Sequence, residues 1–182
     1  MNHFSTSSTP AVLFCMIAGA LLSLSAAAEE GSVQAFSSWQ AKGQMYPTAP
    51  EEMTFVGSFF GILYVQGEDG SFDAGLITCP STVAVNTRDR SLTGNGKCVI
   101  VTPDAERVYA AFECSGAYRE GCSGNFTLTG GTGSKSKISG GGEVQFKSAF
   151  ANLTLLPGNV VEQEAVGMAY WPKLTFSVPD GQ

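Results

Sequence analysis

Histidine, the side chain used most often as a general base near neutral pH, occurs once in this sequence. That residue, His3, lies in a segment that we interpret below as a removable leader. The processed chain then contains no imidazole, which excludes a Ser-His-Asp triad and any histidine-ligated metal. We therefore predict no catalytic residue, no metal and no cofactor.

Residues 1–28 have the order of a secretory signal peptide. A polar start is followed by an apolar stretch, residues 11–25, and by three alanines that supply a cleavage site before Glu29. An uncleaved membrane anchor is the alternative, but the apolar stretch is shorter than the ~20 residues that span a bilayer. We predict cleavage, export to the periplasm or the cell exterior, and no membrane span afterwards.

The compartment predicted for this chain bears on its cysteines, because disulfides form in oxidising environments outside the cytoplasm. Once Cys15 leaves with the leader, Cys79, Cys98, Cys114 and Cys122 remain, and an even number in an exported chain is typical of disulfides. Four cysteines permit three pairings. We favour Cys114–Cys122, which would close a short loop at a hairpin end, together with Cys79–Cys98. A zinc site is the alternative, but the processed chain has neither a C-x-x-C pair nor a histidine.

Two other stretches could bind phosphate or calcium. Residues 130–136 (GGTGSKS) resemble a phosphate-binding loop, but Ser134 stands where that motif requires glycine before the lysine. Residues 68–73 (EDGSFD) carry carboxylates at a spacing that fits no complete calcium loop. We predict that both are turns, and that the structural turn residues of the first are Gly130, Gly131 and Gly133.

A carboxylate could act as a base in place of histidine if burial raised its pKa. Glu113 is the candidate, because it lies between Phe112 and Cys114 in an alternating stretch. Strand periodicity sends it to the face opposite Phe112. We therefore predict that Glu113 lies on the exterior in a cross-strand ion pair.

Apolar side chains could instead line a cavity. Alternation along the predicted strands selects four ligand-binding candidates: Phe112, Phe146, Met168 and Tyr170. A plain packed core is the alternative, because small barrels fill their interiors with side chains.

The length and composition of the chain predict one globular domain. The chain has 182 residues, of which 43% are hydrophobic and 14% charged. Its net charge of −6 argues against nucleic acid or an anionic membrane surface as a partner.

The elements that must position these side chains are strands. Residues 54–66 are rich in β-branched and aromatic residues, and they contain Gly57 and Gly61, which a helix would tolerate poorly. Further short strands, separated by glycine-rich turns, are predicted at residues 73–79, 97–102, 107–114, 125–129, 143–150, 153–156 and 165–178. Such spacing predicts an all-β fold, a single antiparallel sandwich or barrel.

Local patterns refine this organisation. Residues 29–52 are polar and contain Pro47 and Pro50, so we predict an N-terminal arm there and a barrel domain over residues 53–182. Alternation within 143–150 places Phe146 and Phe150 on one face. Trp171-Pro172 predicts a bulge or a seam, since proline cannot donate to a sheet ladder.

One stretch resembles a known family signature. Residues 121–133 (GCSGNFTLTGGTG), followed by ISGGG at 138–142, resemble the allene oxide cyclase and dirigent-type barrel superfamily, especially its uncharacterised exported bacterial members. In that group a strand of form F-T-x-T runs into G-G-T-G, and the cysteine-bearing strands over 98–114 are also similar. The resemblance covers about residues 94–146. It implies an eight-stranded antiparallel barrel, often with an apolar cavity and often associated into oligomers.

The resemblance leaves the function open. Plant relatives include an isomerase that cyclises an unstable fatty-acid epoxide, and dirigent proteins that orient phenoxy radicals without catalysing a reaction themselves. Our first expectation is non-catalytic binding of a small apolar molecule, or a surface interaction, with a homo-oligomer among the expected partners. The alternatives are an isomerase or cyclase that acts on a reactive lipid-like epoxide in the cavity, and a structural envelope protein with a filled core.

Overall fold

The computed structural model describes residues 29–157 and 161–179; the predicted signal peptide, residues 1–28, lies outside the described residues. Eight strands follow one another around a closed barrel, each antiparallel to its neighbours. They are β1 (Glu29–Ala49), β2 (Glu52–Gln66), β3 (Phe72–Asn86), β4 (Ser91–Val101), β5 (Arg107–Ala117), β6 (Gly121–Gly131), β7 (Ser139–Leu155) and β8 (Val161–Val178). The predicted all-β antiparallel barrel is confirmed.

Helical structure is minimal in the part of the chain that the structure describes. A single-turn 3-10 helix, Gly133–Lys135, lies between β6 and β7. Over residues 29–157 and 161–179, no helix has the length and apolar character needed to cross a membrane.

Alternation along β5 shows why these sequences form strands. Val108, Phe112 and Cys114 are buried inside the barrel, whereas Glu113 is exposed on the outside, as predicted. Asn95 and Asn125 are its cross-strand neighbours. The expected ion pair to Glu113 is absent among the described residues.

Both favoured disulfides are present. Cys79 and Cys98 join β3 to β4 across a sequence separation of 19 residues. Cys114 and Cys122 join β5 to β6 across a separation of 8 residues, next to the turn at 118–120. All four of these cysteine side chains face the interior, so the two disulfides join neighbouring strands from within the barrel.

The expected N-terminal arm is instead strand β1. It pairs with β2 on one side and with β8 on the other, and these two ladders close the barrel. Pro47 is accommodated because it follows Met45, the last β1 residue paired with β8, so only β2 flanks it in the described residues. The polar residues that suggested an arm are the outward half of the alternation, with Trp39 among the buried half.

Irregularities in two ladders redirect side chains. A register shift between Ser148 and Phe150 turns Phe150 outward, where it is 63% exposed, so it does not share the inner face with Phe146 as predicted. The β1–β8 ladder has its own shift, because Ala35 pairs with Trp171 and Val33 with Leu174. The predicted bulge at Trp171-Pro172 is therefore present, and it keeps Pro172 out of the regular ladder.

Candidate functional site

The two ends of the barrel interior differ. One end, which we call the cavity end, carries the turns at 50–51, 87–90 and 118–120. The other, the packed end, carries the turns at 67–71, 102–106 and 132–138. Large side chains fill the packed end, where the rings of Phe126 and Trp171 meet edge to face at 5.2 Å between centroids and Val144 is fully buried.

A cavity of about 370 Å³ occupies the cavity end. Its volume lies within the range of pockets that hold small molecules. All eight strands contribute to its wall; the lining includes Ala41, Met45, Phe55, Val83, Val85, Leu92, Ala151 and Ala165. The Cys114–Cys122 disulfide also forms part of this wall.

An aromatic cluster forms the floor of the cavity. Phe146 lies at its centre, with ring centroids 5.0 Å from Phe112 and 6.4 Å from Phe59. Phe59 in turn meets the rings of Trp39 at 5.2 Å and Phe55 at 6.0 Å. Because these residues come from β1, β2, β5 and β7, closure of the barrel brings together side chains that are distant in sequence. The cluster separates the cavity from the packed end.

Two polar side chains sit at the mouth. Tyr118 and Arg119 lie in the β5–β6 turn and line the cavity, with the Arg119 guanidinium carbon 5.8 Å from the centre of the Tyr118 ring. The turn is fastened to the neighbouring β3–β4 turn, because Tyr118 donates its backbone N–H to the carbonyl of Arg90 at 2.8 Å. The Arg90 side chain also pairs with Glu120. Arg119 itself adopts a left-handed backbone conformation, with φ of 68°.

The cavity wall is otherwise poor in polar groups. Among the described residues that line it, Tyr118 and Arg119 are the only ones with an ionisable side chain outside the disulfide. Gln163 on β8 also lines it, and its Oε1 atom is buried without a hydrogen-bond partner in the described part of the chain. A ligand donor group could satisfy that oxygen.

The four predicted ligand-binding residues divide into two pairs. Phe112 and Phe146 face inward and line the cavity. Met168, 50% exposed, and Tyr170, 36% exposed, lie on the outside of the barrel, so the prediction that they line its interior is wrong. The inward positions of β8 are Ala165, Ala169 and Trp171, one residue out of phase with that prediction.

Sequence reasoning missed several cavity residues. Trp39 and Met45 lie in the segment predicted to be an arm, and Phe55 and Phe59 lie in a strand whose two faces are both apolar. The sequence of β1 contains a usable signal: Trp39, Ala41 and Met45 stand at alternate positions, on one face of the strand, with polar residues between them.

Met168 and Tyr170 belong to an outer apolar face that spans β8, β1, β2 and β3. Cross-strand pairing aligns Phe36 with Tyr170, and it places Met168 and Ile62 on either side of Ser38. The face comprises Phe36, Phe60, Ile62, Leu76, Val166, Met168 and Tyr170, all of them exposed. Contiguous exposed apolar surface of this kind commonly marks an interaction site on a soluble protein.

Exposed loops and one outer ion pair carry groups whose pKa values are shifted. The hydroxyl and backbone N–H of Ser71 hold the pKa of Asp69 below its ordinary value, and the N–H of Ser91 does the same to the pKa of Asp89. On the barrel exterior, the hydrogen bond to Glu164 raises the pKa of Lys42. No group of three or more potential metal ligands occurs within residues 29–157 and 161–179.

The turn glycines predicted from sequence lie at the packed end. Gly130 and Gly131 end β6, and Gly133 begins the 3-10 turn with φ of 55°. Glu106 accepts hydrogen bonds from the backbone N–H of Ser134 at 2.7 Å and from its hydroxyl at 2.6 Å. These contacts fasten the loop as a structural corner, away from the cavity.

Comparisons with known proteins yield one distant likeness. No family model and no curated protein matches this chain. Among solved structures, a pterocarpan synthase dirigent protein aligns over 92% of this chain and 98% of its own, with 10% sequence identity and a TM-score of 0.32. At these values the likeness carries no argument about function. Membership in the dirigent-like superfamily therefore stays a prediction, whereas the eight-stranded barrel that the resemblance implied is present.

Proposed function

We propose that this chain is an exported, non-catalytic barrel protein that binds a small apolar molecule in the cavity at its cavity end. The observation that carries the proposal is the cavity of about 370 Å³ above the aromatic cluster of Phe59, Phe112 and Phe146. Burial of apolar ligand surface against these aromatic side chains is favourable by roughly 25 cal/mol for each Å² removed from water. Export to the periplasm or the cell exterior is supported by the predicted leader and by two disulfides.

Binding without chemistry is favoured over an isomerase or cyclase. An ionisable group directed into the cavity, beside the reacting atoms, would favour such an enzyme. Among the described lining residues, the ionisable side chains of Tyr118 and Arg119 lie at the mouth, whereas Phe59, Phe112 and Phe146 form the floor. A purely structural protein with a filled core is disfavoured, since side chains fill only the packed end.

Two alanines on β8 provide a matched test. Ala165 lines the cavity, and Ala169 faces the same interior two inward positions further along β8, beside Trp171 in the packed half. We expect Ala165→Leu to fill the cavity and to weaken binding of a neutral apolar dye, N-phenylnaphthylamine, at least tenfold. Ala169→Leu should leave dye affinity unchanged while overpacking costs about 1–3 kcal/mol of stability.

Dye fluorescence measures the first effect, and urea denaturation the second. Failure of the wild-type chain to bind the dye, or equal weakening by both variants, would contradict the proposal. Native mass spectrometry of protein purified from its own host complements this experiment, because a co-purifying mass that Ala165→Leu removes would identify the natural occupant.

A second candidate, self-association, is favoured by the outer apolar face. At its border Lys42 contacts Glu164 at 3.0 Å and Glu162 at 3.8 Å, whereas Lys147, the cross-strand neighbour of Met168, belongs to none of the ion pairs found among the described residues. The face itself is built from apolar side chains of four neighbouring strands, and a second copy of the same apolar surface complements it.

Sedimentation velocity tests this candidate. Met168→Glu places a charge at the centre of the outer apolar face and should convert an oligomer to a monomer. Thr127→Glu, at an exposed position of β6 on the other side of the barrel, is the matched control. A wild-type chain that is monomeric at micromolar concentration contradicts self-association and leaves cavity binding unaffected.

A further inference from the structure

The cavity has a chemical polarity that narrows its ligand class. Its floor is aromatic and its sides are aliphatic, whereas its mouth carries the guanidinium of Arg119. No Asp or Glu is among the described residues that line it. A neutral apolar ligand would use the floor and sides but would leave the cation at the mouth without a counterpart.

Arg119 is available to a ligand. None of the ion pairs found within residues 29–157 and 161–179 includes it. The neighbouring carboxylate, Glu120, pairs with Arg90 on the adjacent turn. That pairing removes the nearest competing anion in the sequence and leaves the Arg119 guanidinium facing the Tyr118 ring.

The backbone position of Arg119 is also fixed by its surroundings. The turn that carries it is closed by the N–H of Glu120, which donates to the carbonyl of Ala117 at 3.0 Å, and it is bound to Arg90 through Tyr118. The Cys114–Cys122 disulfide ties the two strands just before and after this turn. A guanidinium held on a fastened turn, with a planar fork of donors, is suited to bind a carboxylate, sulfonate or phosphate group.

From this arrangement we infer that the natural ligand is an anionic amphiphile, with an apolar body against Phe59, Phe112 and Phe146 and a single acidic head group at Arg119. This inference rests on the proposed function, because it assigns a ligand class to the same cavity. It places recognition of the head group at the rim and burial of the apolar body at the floor.

Three probes that share one alkyl chain separate the contributions: decanoate, decanol and decyltrimethylammonium. Isothermal titration calorimetry of the full processed chain should give decanoate the highest affinity and the cationic probe the lowest. Because Arg119 is exposed and water screens its charge, we expect a preference of decanoate over decanol of only roughly fivefold at low ionic strength. The preference should shrink as salt is added.

Variants assign the preference to one side chain. Arg119→Gln should abolish the preference for decanoate while leaving decanol affinity unchanged, and Arg119→Lys should retain part of it. Arg107→Gln is the matched control, since Arg107 is an exposed arginine at the packed end of β5. It should preserve both affinities.

The outcomes distinguish the two proposals. Equal affinity for decanoate and decanol, or equal weakening of both by Arg119→Gln, overturns the anionic-head inference and leaves apolar binding in place. Tightest binding of the cationic probe overturns it as well. Failure of all three probes to bind contradicts cavity binding itself.

Discussion

The ring of Phe112 on β5 and the ring of Phe146 on β7 lie 5.0 Å apart between centroids, although β6 separates their strands in the sheet. The two side chains meet across the curved interior. Their contact marks the boundary between the packed half of the barrel and the cavity, so it contributes both to stability and to the shape of the site.

Truncation of these rings should reveal that double role. Phe112→Ala and Phe146→Ala should each lower the free energy of unfolding by about 3 kcal/mol, because each removes a large apolar side chain and leaves a void. A double-mutant cycle should give a coupling of about 0.5–1.5 kcal/mol, the value expected of an aromatic pair. Urea denaturation provides the measurement.

Phe150→Ala is the control for this pair. Phe150 is 63% exposed on the same strand as Phe146, so its truncation should change stability by no more than about 0.5 kcal/mol. Strictly additive effects of the two interior truncations would show that the rings do not interact.

The alternation that predicted Phe112 and Phe146 failed on β8 for a physical reason. Both faces of residues 165–171 are apolar, so the larger side chains, Met168 and Tyr170, suggested the inner face. Outside, they contribute to the outer apolar face. Inside, Ala165, Gly167 and Ala169 are small where Trp39 occupies the space, and a Cβ added at Gly167 would collide with its indole ring.

The barrel itself was predictable because period-two patterning and glycine turns are local signals. The cavity was not, since its volume depends on which distant side chains meet. Met45 on β1 and Phe55 on β2 line the cavity only because β1 pairs with both β2 and β8. Nothing in the local sequence of residues 29–52 indicates that it closes a sheet that ends more than a hundred residues later.

Removal of the two disulfides should have graded effects. In the loop-entropy description, a bridge that closes a longer loop restricts the unfolded chain more. The Cys79–Cys98 bridge spans 19 residues and the Cys114–Cys122 bridge spans 8. Replacing each pair with alanines should cost about 2–4 kcal/mol, with the first pair costing roughly 0.8 kcal/mol more.

Chemical denaturation of the two paired variants, each under oxidising conditions, checks this order. A single-cysteine variant is unsuitable because it leaves a reactive thiol. If loss of Cys114–Cys122 proves the more costly, native contacts at the cavity mouth outweigh the loop-entropy difference.

Stability should fall in acid through the exposed turns. The hydroxyl and N–H of Ser71 keep the pKa of Asp69 below its ordinary value of 3.8. A lowered carboxyl pKa stabilises the fold at pH values above 3.8, and this contribution is lost as pH falls through the folded-state pKa. Thermal unfolding followed from pH 6 to pH 2 should therefore show a declining melting temperature below about pH 4.

Ser71→Ala tests the assignment to this turn. The variant loses the hydroxyl donor, so the pKa of Asp69 should move back towards its ordinary value and the decline in acid should become shallower. If the melting temperatures of the two proteins fall identically between pH 4 and pH 2, the decline is due to other carboxylates.

The glycine-rich corner at the packed end should tolerate alanine unequally. At Gly131 an added Cβ would meet two backbone oxygens, those of Arg107 and of Lys135, the latter at 2.6 Å, and backbone cannot swing aside. We expect Gly131→Ala to cost roughly 2–4 kcal/mol. Gly70→Ala is the control: no atom lies within 4 Å of the added carbon, so its φ of 81° leaves only about 1 kcal/mol of backbone strain to be expected.

Gly133 falls between these cases, because its added Cβ would meet the carboxylate of Glu106, which is a side chain and can move. Movement has a cost, since that carboxylate accepts both hydrogen bonds from Ser134. We expect Gly133→Ala to cost about 2 kcal/mol in the wild-type chain. In a Glu106→Ala background the cost should fall to the Gly70→Ala value, because only the backbone strain remains. A cost that is the same in both backgrounds would show that Glu106 does not restrict this position.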